Sequence, residues 1–226
     1  MKTTISSGHG KYVSGASSII DEVAEARKVV NRVGEILKEL NEEVNIYHDN
    51  TSKTKTTNVN NIVKYHNSTV RDKDISIHFN ASKETDKAMG VEVLYYSDAN
   101  KELASKVSKS ISDASGLKNR GAKLRDDLGF LKNTQKGAIL IEVCFVDSKE
   151  DVRIYKEKFE DICIAIAEVI SQKSYKKVTT TPNNTADKKL YFRVIAGSYT
   201  DRYNAQAMQK RLASMGISSF LEAVEK

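Results

Sequence analysis

The sequence predicts an α/β fold: a twisted, mostly parallel mixed sheet flanked by helices on both faces, with a short C-terminal βαβ-like appendix. Three observations predict it. Strand and helix signals alternate along the first 172 residues, and repeated strand–helix–strand units join parallel neighbours. The run Ala138-Ile139-Leu140-Ile141-Glu142-Val143-Cys144-Phe145-Val146 is apolar at all but one position, as a strand covered on both faces must be. Past residue 174 the alternation shrinks to one short unit of a size that rarely holds a core alone.

The elements follow in order. Thr3-Thr4-Ile5 is a short strand, and residues 19–40 form a long helix with Ala26, Val29, Val33, Ile36, Leu37 and Leu40 on one stripe. Val44-Asn45-Ile46-Tyr47 is a second strand. Residues 57–67 form a helix. Ile75-Ser76-Ile77-His78-Phe79 alternates apolar and polar, so Ser76, His78 and Asn80 share one face of a third strand. Val91-Glu92-Val93-Leu94-Tyr95-Tyr96 is a fourth, rich in β-formers. Residues 99–114 are helical, and the stretch around 125–131 carries no clear pattern. Residues 139–146 make a central strand, and 150–172 close as one helix.

Residues 175–188 hold the chain's single proline and no apolar periodicity, and read as a linker between a domain of residues 1–174 and a segment of residues 189–226. The segment reads as a strand over 191–199, a helix over 202–215 stopped at Gly216, and a strand over 218–224. Residues 175–226 carry nine Lys/Arg against four acids, a charge of +5, so the other residues supply only +1 of the chain's +6. A basic tail on a near-neutral body suits an anionic polymer. Charge is the only support for a nucleic-acid partner, so none is expected. No apolar stretch approaches the length of a membrane span, and Met1-Lys2-Thr3-Thr4 lacks the apolar core of an export signal. Cys144 and Cys163 both sit in apolar runs, as buried thiols rather than a disulfide.

Glu142 is the chemical anomaly. A carboxylate among apolar neighbours costs several kcal/mol unless it has a metal, a partner or a task. His78 is a second anomaly, and His9, between Gly8 and Gly10 after the first strand, is a third. Two histidines and an acid are one of the ligand sets of catalytic zinc, which leaves a fourth position for water. The acid is Glu22 or Glu25. At 100° per residue, Glu22 points within about 40° of Ala26, Val29, Val33, Ile36 and Leu40, whereas Glu25 lies about 60° round at the stripe's edge, so Glu22 is the better ligand. His48 and His66 fit ordinary half-buried histidines. Zinc lowers the pKa of bound water to about 7. Glu142 beside it can take the water's proton and hand it to a leaving amine. Spacing alone leaves zinc chemistry and plain buried histidines equally open.

Gly8-His9-Gly10, Glu22, Ser76-Ile77-His78-Phe79-Asn80-Ala81 and Leu140-Ile141-Glu142-Val143-Cys144-Phe145-Val146 together resemble the zinc-dependent N-acetylmuramoyl-L-alanine amidases of the amidase-3 family, over residues 2–172. The resemblance implies Zn²⁺ held by His9, Glu22 and His78, with Glu142 as the catalytic glutamate. Counting back from the helix-to-strand junction at Asn41–Val44 also selects Glu22. Two features depart from the family pattern: Ser6-Ser7 replaces the usual Asp-Pro, and no arginine lies between Val59 and Asn67. The overall look, including Arg120-Gly121-Ala122-Lys123, is similar to amidases of phage endolysins and spore-forming bacteria. The tail resembles half of a sporulation-related repeat, the SPOR module that binds peptidoglycan, on Tyr191-Phe192-Arg193-Val194-Ile195-Ala196-Gly197-Ser198-Tyr199, Ala205, Leu212 and Gly216.

These readings predict a hydrolase of peptidoglycan that cuts the amide between N-acetylmuramic acid and L-alanine. The alternatives are a zinc peptidase acting within the stem peptide and a non-catalytic wall-binding protein. Peptidoglycan is the expected partner, with anionic wall polymers engaged by the basic segment and a homodimer open to the half repeat. The expected site of action is the cell wall, reached after release through a holin or mother-cell lysis.

Overall fold

The computed structural model describes residues 1–176, 197–217 and 219–221. The chain divides into two compact units, Met1–Lys176 and Lys177–Lys226. In the first, six strands form one sheet: β1 (Lys2–Ser7), β2 (Glu43–Tyr47), β3 (Lys73–Asn80), β4 (Val91–Tyr95), β5 (Asn119–Leu124) and β6 (Gly137–Phe145), in the order β2-β1-β3-β6-β4-β5. The helices are α1 (Glu22–Glu39), α2 (Lys55–Ser68), α3 (Lys101–Ser115), α4 (Gly129–Asn133), α5 (Lys149–Glu157) and α6 (Phe159–Ser171). The predicted α/β layer architecture is observed. Strands β2, β1, β3 and β6 run parallel; β4 lies antiparallel to β6 and carries β5 parallel to itself.

Each face of the sheet buries its own apolar set. Ile5, Ile75, Ile77, Ile139, Ile141 and Val143 pack with α1, α3 and α6 into the larger core. Leu94, Ala138 and Leu140 point the other way, against Ile62 of α2 and Phe130 and Leu131 of α4. The stripe anticipated on α1 is there, with Val29, Val33, Ile36 and Leu37 fully buried. The helix starts later than residue 19: Asp21 caps it, accepting from the Ala24 amide at 2.9 Å, which places Glu22 in the first turn.

Three local expectations are corrected. Strand β5 was not anticipated, because Asn119-Arg120-Gly121-Ala122-Lys123-Leu124 has no apolar alternation; it is an edge strand whose pairing comes from β4. The single helix expected over 150–172 is two helices broken at Lys158, with Phe159 turned onto the ring of Tyr155. The unpatterned stretch near 125–131 contains the short α4. Cys144 and Cys163 are free and buried, as expected.

Asp151, wholly buried, accepts from the backbone amides of Met89, Gly90 and Phe145 at 2.9, 2.8 and 3.1 Å. It ties the β3–β4 connection to the end of β6 and so shapes one rim of the site. A second buried network lies under the sheet's other end, where His66 bridges Asp74 (2.8 Å) and Ser6 (3.0 Å) and Asp74 also pairs with Arg71. All three members of that Ser–His–Asp chain are fully buried, so no substrate reaches it and its role is structural.

In the second unit, α7 (Arg202–Ser214) is capped by Asp201 and ends at Gly216 with φ of 76°. The expected strand over 191–199 falls mostly outside the described residues, and Gly197-Ser198-Tyr199 is not strand. The strand expected over 218–224 also falls mostly outside them, and residues 219–221 are not strand. The linker lies outside them from residue 177 onward.

Candidate metal centre

Three elements deliver the three side chains. His9 sits in the loop leaving β1, His78 near the end of β3, and Glu22 at the start of α1. β1 and β3 pair in register up to Ser7 and Ile77, and the Gly8 amide donates to the Ile77 carbonyl at 2.9 Å, which brings the two histidine segments together. One ligand atom from each of His9, Glu22 and His78 lies within 4.8 Å of the other two. Glu22 Oε1 accepts from His78 Nδ1 at 3.0 Å, and Glu22 Oε2 lies 3.4 Å from His9 Nε2. Among the described residues this is the group whose geometry suits a metal ion.

The carboxylate is oriented by backbone amides. The amides of Phe79 (3.1 Å) and Ala16 (2.6 Å) hold its two oxygens, and Glu22 is only 2% exposed. Two glycines make room. A Cβ at Gly8 would stand 1.7 Å from His78 Nε2, and one at Gly15 would stand 2.4 Å from Glu22 Oε2. Asp49 steadies the His9 loop from below: its carbonyl accepts from the Lys11 amide, and its carboxylate takes Thr51, Ser52 and Asn58.

Burial and neighbouring charges act together on the three side chains. Burial disfavours a charged Glu22, yet the hydrogen bond from His78 and the two imidazoles hold its pKa below the ordinary value. Burial likewise opposes charge on His78, but the hydrogen bond to Glu22 and the charges of Glu142 and Glu22 raise it. Burial lowers the pKa of His9, whose Nδ1 is enclosed without a hydrogen-bond partner. Two imidazoles, one of them with an orphaned ring nitrogen, and one carboxylate form a donor set that fits zinc.

Glu142 lies beside this group. β3 and β6 pair so that His78 and Glu142 are direct neighbours, with side chains on one face. Burial pushes the Glu142 carboxyl up to about 7, with Glu22 and Glu92 adding to the effect and His78 and Arg125 opposing it. Its Oε2 is enclosed and makes no hydrogen bond. On its other side, Glu92 of β4 pairs directly with Glu142. Glu92 accepts from Asn80 Nδ2 (2.8 Å) and from Arg120 Nε (2.7 Å). Sequence reasoning passed over Glu92, although its place as a lone acid in an apolar strand is the signal that marked Glu142. His48 and His66 stay outside the group, bonded to Ser7 and to Asp74 and Ser6. Glu25 is taken up by Tyr155 and Lys28.

Residues 4–172 match the family model described as N-acetylmuramoyl-L-alanine amidase. An uncharacterised protein of Clostridium perfringens is 34% identical over 179 residues, 76% of this chain and 52% of its own length. The catalytic domain of an endolysin targeting Clostridia difficile superposes with a TM-score of 0.71 at 28% identity, covering 78% of this chain and 99% of that domain. An N-acetylmuramoyl-L-alanine amidase of Nostoc punctiforme gives a TM-score of 0.65 at 25% identity, covering 76% of this chain and 96% of that one. The chain spans between half and three-fifths of the curated relatives it matches. With residues 4–172 matched, well over half of its length, the chain belongs to the amidase-3 family of N-acetylmuramoyl-L-alanine amidases.

Proposed function

We propose that this protein is a zinc-dependent peptidoglycan amidase that hydrolyses the bond between the lactyl carbonyl of N-acetylmuramic acid and the nitrogen of L-alanine. The observation that carries the reading is the convergence of His9, Glu22 and His78 within 4.8 Å, with Glu142 as the strand neighbour of His78. His9, Glu22 and His78 hold the ion, and Glu22 is the ligand fixed most firmly by amide hydrogen bonds. Zinc bound there supplies an acidified water and polarises the amide carbonyl. Glu142 takes the proton of the attacking water and delivers it to the alanine nitrogen as the C–N bond breaks. Its raised pKa, about 7, suits this double duty near neutral pH.

Product analysis tests the assignment. Digestion of purified peptidoglycan should release stem peptides with new N-terminal L-alanine, identified by end-group labelling and mass spectrometry. New amino groups on any other residue would make it an endopeptidase instead.

The organisation proposed is a catalytic domain over residues 1–174, a linker over 175–188 and a wall-affinity segment over 189–226. The +5 charge of residues 175–226 supports the last part. A flexible 14-residue linker has a root-mean-square reach of about 20 Å, enough for both modules to engage one patch of wall. Truncation after Lys176 should weaken co-sedimentation with purified walls about tenfold at low salt. Equal binding by the full-length and truncated chains would remove the segment's role.

A further inference from the structure

We propose that Arg120, on edge strand β5, recognises the free carboxylate of the second residue of the stem peptide, so that the enzyme discriminates walls by whether that group is amidated. The inference rests on the amidase reading.

Arg120 is immobilised beside the site. Its Nε donates to Glu92 at 2.7 Å, and its guanidinium carbon lies 5.0 Å from the Phe145 ring centroid, which fixes the plane of the group. Glu92 is held in turn by Asn80. Of the five N–H donors on a guanidinium, only Nε has a protein acceptor among the described residues, and the side chain is 31% exposed. Both Nη groups therefore present an open edge. Such an edge binds a carboxylate through two parallel hydrogen bonds, which a point-charge ammonium cannot reproduce. Arg125, the other cation near Glu142, already spends Nε and Nη2 on Asp127, both at 2.8 Å.

The spacing fits the substrate. Glu142 on β6 faces Glu92 on β4, and Arg120 lies one strand further on the same face. With strands about 4.8 Å apart, the Arg120 backbone lies roughly 10 Å from that of Glu142. A peptide crossing the strands advances about 3.5 Å per residue, so the second residue's carboxylate lies roughly 7 Å from the scissile nitrogen, within reach of a guanidinium. That residue is D-glutamate linked onward through its side chain, which leaves its main-chain carboxylate free; in other walls the same group is the amide of D-isoglutamine. The carboxylate accepts both Nη donors, whereas the amide has one acceptor oxygen and turns its own N–H groups against a cation.

Two muramyl tetrapeptides that differ only in D-glutamate or D-isoglutamine at the second position decide the matter. The zinc-loaded full-length protein should favour the glutamate form in kcat/KM by about tenfold or more. Arg120→Lys should abolish the preference, read as the ratio of kcat/KM for the two forms, whatever happens to either rate alone. The same discrimination should appear in calorimetric dissociation constants of the metal-free chain for the two released stem peptides. A wild-type protein that cleaves both forms equally overturns the assignment, with no variant needed, as does a preference that survives Arg120→Lys. Cleavage of neither form by the wild type would instead overturn the amidase reading beneath it.

Discussion

Glu142→Gln should lower kcat on peptidoglycan by roughly 10²–10⁴-fold while leaving zinc stoichiometry unchanged. The glutamine keeps the size of the side chain and loses the one function proposed for it, carrying a proton from water to the alanine nitrogen. Glu142 is a neighbour of His78 across β3 and β6 but does not belong to the three-residue group, so removing its charge leaves the ligands in place. The same substitution should stabilise the metal-free protein at alkaline pH. The folded-state pKa of about 7 lies above the ordinary 4.5, so ionising Glu142 in the fold is unfavourable. That penalty is absent below pH 4.5, grows between 4.5 and 7, and is complete above 7. Relief by Gln should therefore reach about 1–3 kcal/mol at pH 8 and vanish at pH 4, measured by denaturant unfolding after chelation. Retention of more than a tenth of wild-type kcat would exclude Glu142 as the proton carrier.

His78→Ala should remove zinc and activity together, with metal affinity reduced by at least about 10²-fold. The reason is geometric. Glu22 is buried, and its two oxygens are held toward His78 and His9, so losing the His78 imidazole removes one of the two side chains paired with that anion and leaves two of the three proposed ligands. Gly8→Ala should produce the same loss without touching a ligand, because its Cβ would stand 1.7 Å from His78 Nε2 and must displace the ring. Chelation of the wild type should mimic both variants, and added zinc should restore only the wild type. Metal analysis of each purified protein checks this; one zinc per chain in His78→Ala would exclude the ligand set.

Much of the candidate site was legible in the residues. Glu142 stood out because every neighbour in its strand is apolar, and His78 because alternation along Ile75 to Phe79 put it on a face with Ser76 and Asn80. Helical periodicity chose Glu22 over Glu25, and the structure turns Glu25 to Tyr155. Strand β5 was missed because edge pairing needs no apolar alternation. The break at Lys158 was missed because the residues on either side continue a helical pattern, without glycine or proline.

Residue type and period by themselves determined the α/β class and marked His78 and Glu142 as anomalies. An imidazole or carboxylate set among apolar neighbours is costly enough to be visible in one dimension. Only the tertiary structure decided that β4 and β5 run against β6, and hence that Glu92 and Arg120 flank Glu142. Strand direction and register come from pairings between residues far apart in the chain. No local pattern encodes which strand lies next to which, so the neighbours of Glu142 emerge only when the sheet closes.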